Sequence, residues 1–168
     1  MSTGTLISVE EYLRTSYSPD MEYVDGELVE INVGEWGHGI VQRNILVALT
    51  NNYPGVFAIP ELRSRVRQTR YRLPDIAVTL KPIRTGVLNE PPFIAIEILS
   101  EEDRVSRLIE KLKEYAAFGT PHIWVFDPRL KQMFTFRDNA LQEVLGDTIA
   151  TGDPHLELTR AEVFQDLD

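Results

Sequence analysis

The sequence predicts an α/β (α+β) fold in which helices flank a mixed β-sheet core. Two apolar runs typical of buried strands, residues 93–100 (FIAIEILS) and 122–128 (HIWVFDP), are separated by a segment with helical periodicity. A helix that connects two strands of one sheet requires those strands to be parallel. The other strand-like runs are joined by turn residues that favour antiparallel neighbours. We therefore expect a mixed sheet, preceded by an N-terminal helix and hairpin and followed by a C-terminal edge hairpin.

Local signals define the N-terminal helix and hairpin. Ser8 and Glu11 form a capping-box pattern, which predicts a short helix directly after Ser8. The segment MEYVDGELVEI, residues 21–31, predicts a hairpin around Asp25 and Gly26, because two-residue type I′ turns favour this pair.

The register of this hairpin assigns two glutamates to one face. The two-residue turn pairs Tyr23 with Leu28, which leaves Glu22 and Glu27 together on the opposite face. Most such glutamates are simply solvated, so this pair by itself indicates no function.

The remaining elements alternate between helical and strand patterns. Proline and glycine separate them, since both residues interrupt regular structure. In chain order, the sequence predicts a helix over 39–53, strands over 56–67, 71–80 and 93–100, a helix from Ser100 to Gly119, strands over 122–128, 133–138 and 141–145, and a short last helix capped by Thr159 and Glu162.

Composition limits the class of protein. With 168 residues, 43% of them hydrophobic and 26% charged, the chain is expected to form one globular domain over residues 1–168. The absence of cysteine excludes disulfides and thiolate metal sites. The N-terminal stretch lacks the pattern of a signal peptide, and no apolar segment approaches membrane-spanning length. We therefore expect a cytoplasmic protein without membrane contact.

Positive charge is concentrated in residues 63–72 (RSRVRQTRYR), although the net charge of the chain is -9. An acidic protein binds nucleic acid poorly unless its cations are clustered, because phosphate contacts depend on lysine and arginine. One interpretation is a local basic surface for nucleic acid. The other is a solvated hairpin whose arginines pair with neighbouring acids, and the sequence leaves both open. The arginines concerned are Arg63, Arg65, Arg67, Arg70 and Arg72.

Two isolated carboxylates are the strongest functional signal. Asp75 and Glu97 each interrupt an apolar run, LPDIAVTL and FIAIEILS, where an ionised group costs several kcal/mol unless it is paired or bound to a cation. In neighbouring strands the two side chains could meet at one end of the sheet. One or two carboxylates, completed by water or phosphate, are the ligands that Mg²⁺ prefers. We therefore expect a site that holds a hard metal ion and activates water.

The helix after Glu97 offers a cation to this site. Its apolar stripe is bordered by Lys111 on one side and Lys113 on the other, so either lysine could reach over the sheet. An ammonium group can orient an attacking water or neutralise charge on a phosphoryl group. A border lysine is more often a surface residue, and periodicity alone does not choose between the two.

Six features of the chain follow one another in the order of a known family: YVDGELV, His38 before a helix, PDIAV, IEILS, EKLKEY and GTPHIWVFDP. Through them the sequence resembles the Uma-two family of restriction endonucleases in the PD-(D/E)xK nuclease superfamily. The resemblance runs from about Ser8 to the last helix and rests on several segments in the family's order. It implies a restriction-endonuclease-like fold and Mg²⁺-dependent cleavage of DNA, with Mn²⁺ as a possible substitute and Asp75 and Glu97 as metal ligands.

One residue departs from the superfamily pattern. The lysine usually lies two residues after the second carboxylate, a position that Leu99 occupies here. In the family that this chain resembles, the lysine lies on the following helix four residues before a tyrosine, which implies Lys111 and Tyr115.

The resemblance also suggests two further site residues. Glu27 is the expected additional acidic ligand, with Glu22 as the alternative. His38 is a weaker candidate for catalysis, because a single histidine is more often structural.

Two other classes of function stay open. One is a nuclease-fold module that binds nucleic acid or a protein partner without cleaving. The other is an oligomerisation domain that pairs through the apolar segments 122–128 and 133–138. A homodimer would also suit an endonuclease that cuts two antiparallel strands. The three histidines lack zinc-ligand spacing, and no G-x-S-x-G motif is present.

Overall fold

The fold is seen in a computed structural model that describes residues 4–32 and 34–168. Residues 1–3, part of the stretch without a signal-peptide pattern, lie outside the described residues, as does Val33. Within the described ranges, no helix is both long and apolar enough to cross a membrane. The helices are α1 Val9–Arg14, α2 Trp36–Asn52, α3 Val105–Phe118 and α4 Arg160–Val163. The strands are β1 Met21–Val24, β2 Glu27–Glu30, β3 Phe57–Pro60, β4 Ser64–Arg67, β5 Arg70–Arg72, β6 Ile76–Thr79, β7 Ile94–Ile98, β8 His122–Asp127, β9 Gln132–Arg137, β10 Ala140–Glu143, β11 Thr148–Ala150 and β12 Glu157–Thr159.

A six-stranded sheet with the order β10-β9-β8-β7-β6-β3 forms the centre of the fold. Its strands β7 and β8 are parallel and are connected by α3, as the sequence predicts, while its other neighbours are antiparallel. A four-stranded sheet has the order β2-β1-β5-β4, and β11 pairs with β12. The predicted α/β (α+β) class with a mixed sheet is therefore confirmed.

Two predicted strands are each broken and shared between the two larger sheets. The segment 56–67 divides into β3 and β4 at Glu61, whose φ of 51° lies in the left-handed region. The segment 71–80 divides into β5 and β6 at Pro74, which has no N–H to donate to a ladder. The prediction of continuous strands was wrong because β3 and β6 belong to the six-stranded sheet, whereas β4 and β5 belong to the four-stranded sheet.

The two faces of β7 pack against different helices. Ile94, Ile96 and Ile98 contact the core that includes residues of α2, such as Ile45. On the opposite face, Ala95 packs in a second core that contains leucines of α3. This alternation agrees with the sequence and turns Glu97 toward α3.

The N-terminal helix and hairpin form as predicted. The Ser8 hydroxyl accepts a hydrogen bond from the Glu11 amide at the start of α1. Asp25 and Gly26 have positive φ angles of 49° and 100°, which suits a type I′ turn. Tyr23 pairs with Leu28 across the hairpin, in the expected register.

Three further details differ from the expectations. The α3 helix begins at Val105, because Ser100 and Asp103 hydrogen-bond to each other in a preceding turn. The segment 122–128 forms the inner strand β8, so it offers no free edge for oligomerisation. Strands β11 and β12 were not predicted, whereas the capping box of Thr159 was.

Candidate active site

Asp75 lies where the chain passes from β5 of the four-stranded sheet to β6 of the six-stranded sheet, a point that we call a crossing between the sheets. It occupies a bend that directly precedes β6. Its Oδ2 accepts a 2.6 Å hydrogen bond from the amide of Ile98, at the end of β7. Its Oδ1 lies 3.0 Å from His38 Nε2, and its carbonyl accepts a hydrogen bond from Gln42. Asp75 therefore lies outside the regular strands, and its contacts with β7 and α2 hold it in position.

Glu97 lies in β7 and faces α3. Its Oε1 accepts a 2.6 Å hydrogen bond from the Tyr115 hydroxyl and lies 3.0 Å from Lys111 Nζ. Burial raises the pKa of Glu97 to about 8, opposed by the Lys111 charge and assisted by the charges of Asp75 and Glu22. The carboxyl group therefore binds a proton more tightly than an exposed glutamate does.

Lys111 connects two carboxylates from different strands. Its Nζ lies 2.9 Å from Glu22 Oε1 and 3.0 Å from Glu97 Oε1. Burial alone would lower the pKa of Lys111, but the charges of Glu22, Glu97 and Asp75 outweigh it and raise that pKa. The group is therefore an ammonium at neutral pH. Lys113 is exposed on the helix, so the structure brings only Lys111 to the carboxylates.

The two glutamates of the hairpin have different environments, although their strand pairing puts them on one face. Glu22 is 3% exposed and contacts both Lys111 and Arg72. Glu27 is exposed and does not line the cavity of the site. The expectation that Glu27 joins the cluster is therefore corrected in favour of Glu22, since Glu27 follows the turn while Glu22 lies beside β5 and α3.

His38 contacts the site through a single carboxylate. It is buried in the first turn of α2, and its Nε2 faces Asp75. Burial alone would lower the pKa of His38, but the hydrogen bond and charge of Asp75, with the charges of Glu97 and Asp103, produce a net rise. The imidazole can therefore hold a proton against Asp75 and orient its carboxylate.

The arginines of residues 63–72 do not form a uniform basic surface. Arg63 binds the Asp20 carboxylate and stacks on the Tyr12 ring, which attaches β4 to the N-terminal helix. Arg70 and Arg72 also pair with carboxylates of the chain, so three of the five predicted nucleic-acid contacts are internal ion pairs. The exposed side chains of β4 are Arg65 and Arg67.

The charged side chains converge on one cavity of about 210 Å³, which adjoins a second cavity of about 620 Å³ through His38 and Leu99. Among the described residues, Glu97 Oε2 has no hydrogen-bond partner, and it is not one of the atoms sealed from solvent. That oxygen can therefore accept a ligand in the cavity. The smaller cavity is lined by Glu22, His38, Arg72, Asp75, Glu97 and Lys111, together with apolar residues.

Asp75 and Glu97 fit the coordination preferences of Mg²⁺. Both are oxygen donors on one cavity, and the ion usually takes one or two carboxylates and completes its shell with water or phosphate. In the described ranges, no group of three or more histidine, cysteine, aspartate and glutamate side chains is arranged to hold a metal ion. The chain would therefore supply two ligands rather than a complete cage.

The mixed sheet, its crossover helix and this cavity agree with the restriction-endonuclease-like class of fold that the sequence predicts. A family model for Uma2, described as "Putative restriction endonuclease", matches residues 9–161. The chain belongs to the Uma2 family.

A solved structure supports the same fold. The crystal structure of a "putative nuclease belonging to DUF820" from Anabaena variabilis ATCC 29413 superposes with a TM-score of 0.80 at 20% sequence identity. The alignment covers 96% of this chain and 99% of that chain. At this identity the likeness establishes the fold alone. No curated protein matches the chain.

Sequence reasoning did not foresee the charged partners behind the site. Arg72 and Glu114 are both buried and joined by a 2.6 Å hydrogen bond, but they come from distant segments without a common motif. Glu22 carried one signal, its place in the hairpin register, and that signal did not distinguish it from Glu27.

Proposed function

We propose that the protein is an Mg²⁺-dependent endonuclease that hydrolyses phosphodiester bonds of DNA, with Mn²⁺ as a possible substitute ion. The observation that carries this proposal is the meeting of Asp75, Glu97 and Lys111 at one cavity, although they come from a bend, a strand and a helix. Membership of the Uma2 family supports the same reaction class.

Each residue has a separate role in this proposal. Asp75 and Glu97 would hold the ion, which would act as a Lewis acid and lower the pKa of a bound water molecule. Lys111 neutralises negative charge that develops on the phosphate or orients the attacking water. Tyr115 donates to Glu97 Oε1 and leaves Oε2 without a hydrogen-bond partner among the described residues, while His38 orients Asp75.

The substrate requires cations outside this cluster. Arg65 and Arg67 are exposed on β4 and can contact backbone phosphates. A homodimer would present two sites to the two antiparallel strands of a duplex.

Cleavage of plasmid and linear duplex DNA tests the proposal. Wild-type protein with Mg²⁺ should cleave both, and EDTA should stop the reaction. Asp75→Asn and Glu97→Gln should abolish cleavage, whereas Glu27→Gln, a matched change at an exposed glutamate, should not. Cleavage at the wild-type rate by either Asp75→Asn or Glu97→Gln would falsify the assignment.

A second candidate is a nuclease-fold module that binds nucleic acid or a protein without cleaving. Two observations favour it, namely the net charge of -9 and the internal pairing of Arg63, Arg70 and Arg72. Calorimetric titration with Mg²⁺ or Mn²⁺ separates the candidates, because a module of this kind needs no specific metal site.

A further inference from the structure

The lysine of the site belongs to a group of four charged side chains that we call the ring. Three side-chain contacts link its members, and the backbone of α3 connects the two ends. Lys111 Nζ lies 2.9 Å from Glu22 Oε1, and Arg72 Nη1 donates to Glu22 Oε2 at 3.0 Å. Arg72 Nε donates to Glu114 Oε2 at 2.6 Å. Glu114 follows Lys111 by three residues on α3, so the helix backbone completes the ring. The charges alternate in sign around it.

The ring is buried and joins three elements of the fold. The side chains of Glu22, Arg72 and Glu114 are 3%, 6% and 2% exposed. They lie on β1, β5 and α3, so the ring attaches the helix to the four-stranded sheet. Buried charges keep a defined geometry when every member of the network is paired, and here each member has at least two partners.

Glu22 and Glu97 differ in the oxygens that they leave free. Glu22 Oε1 accepts a hydrogen bond from the Leu73 amide and faces Lys111, while Oε2 is bound by Arg72. Glu97 lines the cavity, and the described residues provide its Oε2 with no hydrogen-bond partner. Glu22 is therefore occupied in holding protein cations, whereas Glu97 can take a ligand.

We propose that Glu22, Arg72 and Glu114 are positioning residues for Lys111, and that Glu22 is not a metal ligand. The inference rests on the proposed nuclease function. When Glu97 shares its charge with a bound cation, its attraction for Lys111 weakens. Glu22, held by Arg72, then keeps the ammonium group beside the phosphate.

Nuclear magnetic resonance of the lysine ammonium groups tests the positioning directly, without DNA or metal. A buried, ion-paired ammonium group exchanges its protons with water slowly enough to be observed, in contrast to an exposed one. The side chain of Lys111 is 17% exposed, compared with 43% for Lys131 and 74% for Lys81, and Lys113 is also exposed. Loss of one signal in Lys111→Met assigns it.

Single substitutions in the ring have defined expected results. Glu22→Gln and Glu114→Gln should abolish the assigned signal, although Glu97 is still present in both. Glu27→Gln is the matched control, since Glu27 is an exposed glutamate on the same hairpin as Glu22, does not line the cavity and should leave the signal unchanged. A signal that persists in Glu22→Gln overturns the proposal.

A double variant covers the case in which a single change prevents folding. Arg72→Met with Glu114→Met replaces the buried pair by apolar side chains. Glu22 keeps Lys111 as a partner, and Arg70 keeps Asp25 and Glu110, so no charge is left unpaired and the fold is protected. It should also lose the Lys111 signal, since Glu22 then lacks its arginine. An unchanged signal in the folded double variant contradicts the positioning role.

Titration with Mn²⁺ alone tests the second half of the proposal. Glu22→Gln should still bind Mn²⁺, with an affinity reduced by about 10–100-fold at most, as for a change outside the ligand shell. Asp75→Asn should show no binding. Loss of Mn²⁺ binding in Glu22→Gln would make Glu22 a ligand and overturn this inference. Wild-type protein without Mn²⁺ binding or cleavage rejects the proposed function instead, and the resonance experiment still decides the positioning role.

Discussion

The Asp75 carboxylate accepts a 2.6 Å hydrogen bond from the backbone amide of Ile98, the residue that follows Glu97. This bond fixes the first carboxylate against the strand that carries the second. The antiparallel ladder of β6 and β7 pairs Ile76 with Ile96, so Asp75 and Glu97 occupy the next position of the same register. The spacing of the two carboxylates therefore depends on this ladder together with the side chain-to-backbone contact.

Substitutions of Asp75 should separate stability from metal binding. Asp75→Ala leaves the Ile98 amide without its acceptor and should lower the free energy of unfolding by about 1–3 kcal/mol. Asp75→Asn keeps an oxygen acceptor and should cost less, while both variants lose Mg²⁺ affinity. Urea unfolding and calorimetry measure the two effects. Equal stability of the two variants would contradict the role of the Ile98 contact.

Lys111 should be far more important for cleavage than its neighbour on the same helix. Lys111→Met removes the ammonium group and should lower the cleavage rate by roughly 100-fold, as for the loss of one group that stabilises developing charge. The matched variant Lys113→Met changes an exposed lysine and should retain the wild-type rate. The measurement is single-turnover cleavage at saturating Mg²⁺, and similar rates for the two variants would exclude Lys111 from catalysis.

Metal affinity should rise with pH up to about 8. Because the pKa of Glu97 is raised to about 8, the metal-free carboxyl group is protonated at lower pH, and a cation must displace that proton. Below this pKa the affinity should fall by about tenfold for each pH unit. Calorimetry in buffers of different ionisation enthalpy measures the released proton. An affinity that is constant from about pH 6 to about pH 8 refutes the coupling.

The two exposed arginines of β4 should carry the electrostatic part of DNA binding. Arg65→Gln with Arg67→Gln should weaken binding at low salt and reduce the slope of log affinity against log salt by about two. Arg63→Gln is the control, because Arg63 binds Asp20 and should affect stability rather than the salt slope. Fluorescence anisotropy with a labelled duplex in EDTA measures both, and an unchanged slope in the double variant would argue against this surface.

A lysine at position 99, where the superfamily usually carries it, should be able to replace Lys111 in part. Leu99 follows Glu97 by two residues and lines the same cavity. Leu99→Lys, combined with Lys111→Met, should therefore recover part of the cleavage that Lys111→Met alone loses. Leu99→Met with Lys111→Met is the control for side-chain size. If the lysine variant recovers no more than this control, the ammonium group cannot act from the strand.

The sequence was informative where one local pattern determines the structure. The Asp25 turn, the alternation of β7 and the crossover through α3 follow from turn chemistry, period-two burial and connection length. The same alternation correctly turned Glu97 toward α3. Asp75 was assigned to a continuous strand, because an apolar run alone does not reveal that Pro74 moves the chain into another sheet.

The less predictable parts of the site depend on contacts between distant segments. Glu22 and Glu27 have equivalent positions in the hairpin pattern, and only the packing of β1 beside β5 buries Glu22. The pairing of Arg72 with Glu114 joins residues 42 positions apart. Charge pairs of this kind leave no periodic trace in the sequence, which is why a cluster of arginines resembled a nucleic-acid surface.

The two crossings between the larger sheets lie side by side, since the amide of Glu61 donates to the carbonyl of Asp75. The two segments that pass between the sheets are therefore joined to each other beside Asp75. The buried pairs of Glu22 and Arg72 with residues of α3 connect the four-stranded sheet to the site a second time. A change that loosens either connection should therefore disturb the geometry of the carboxylates as well as the stability of the fold.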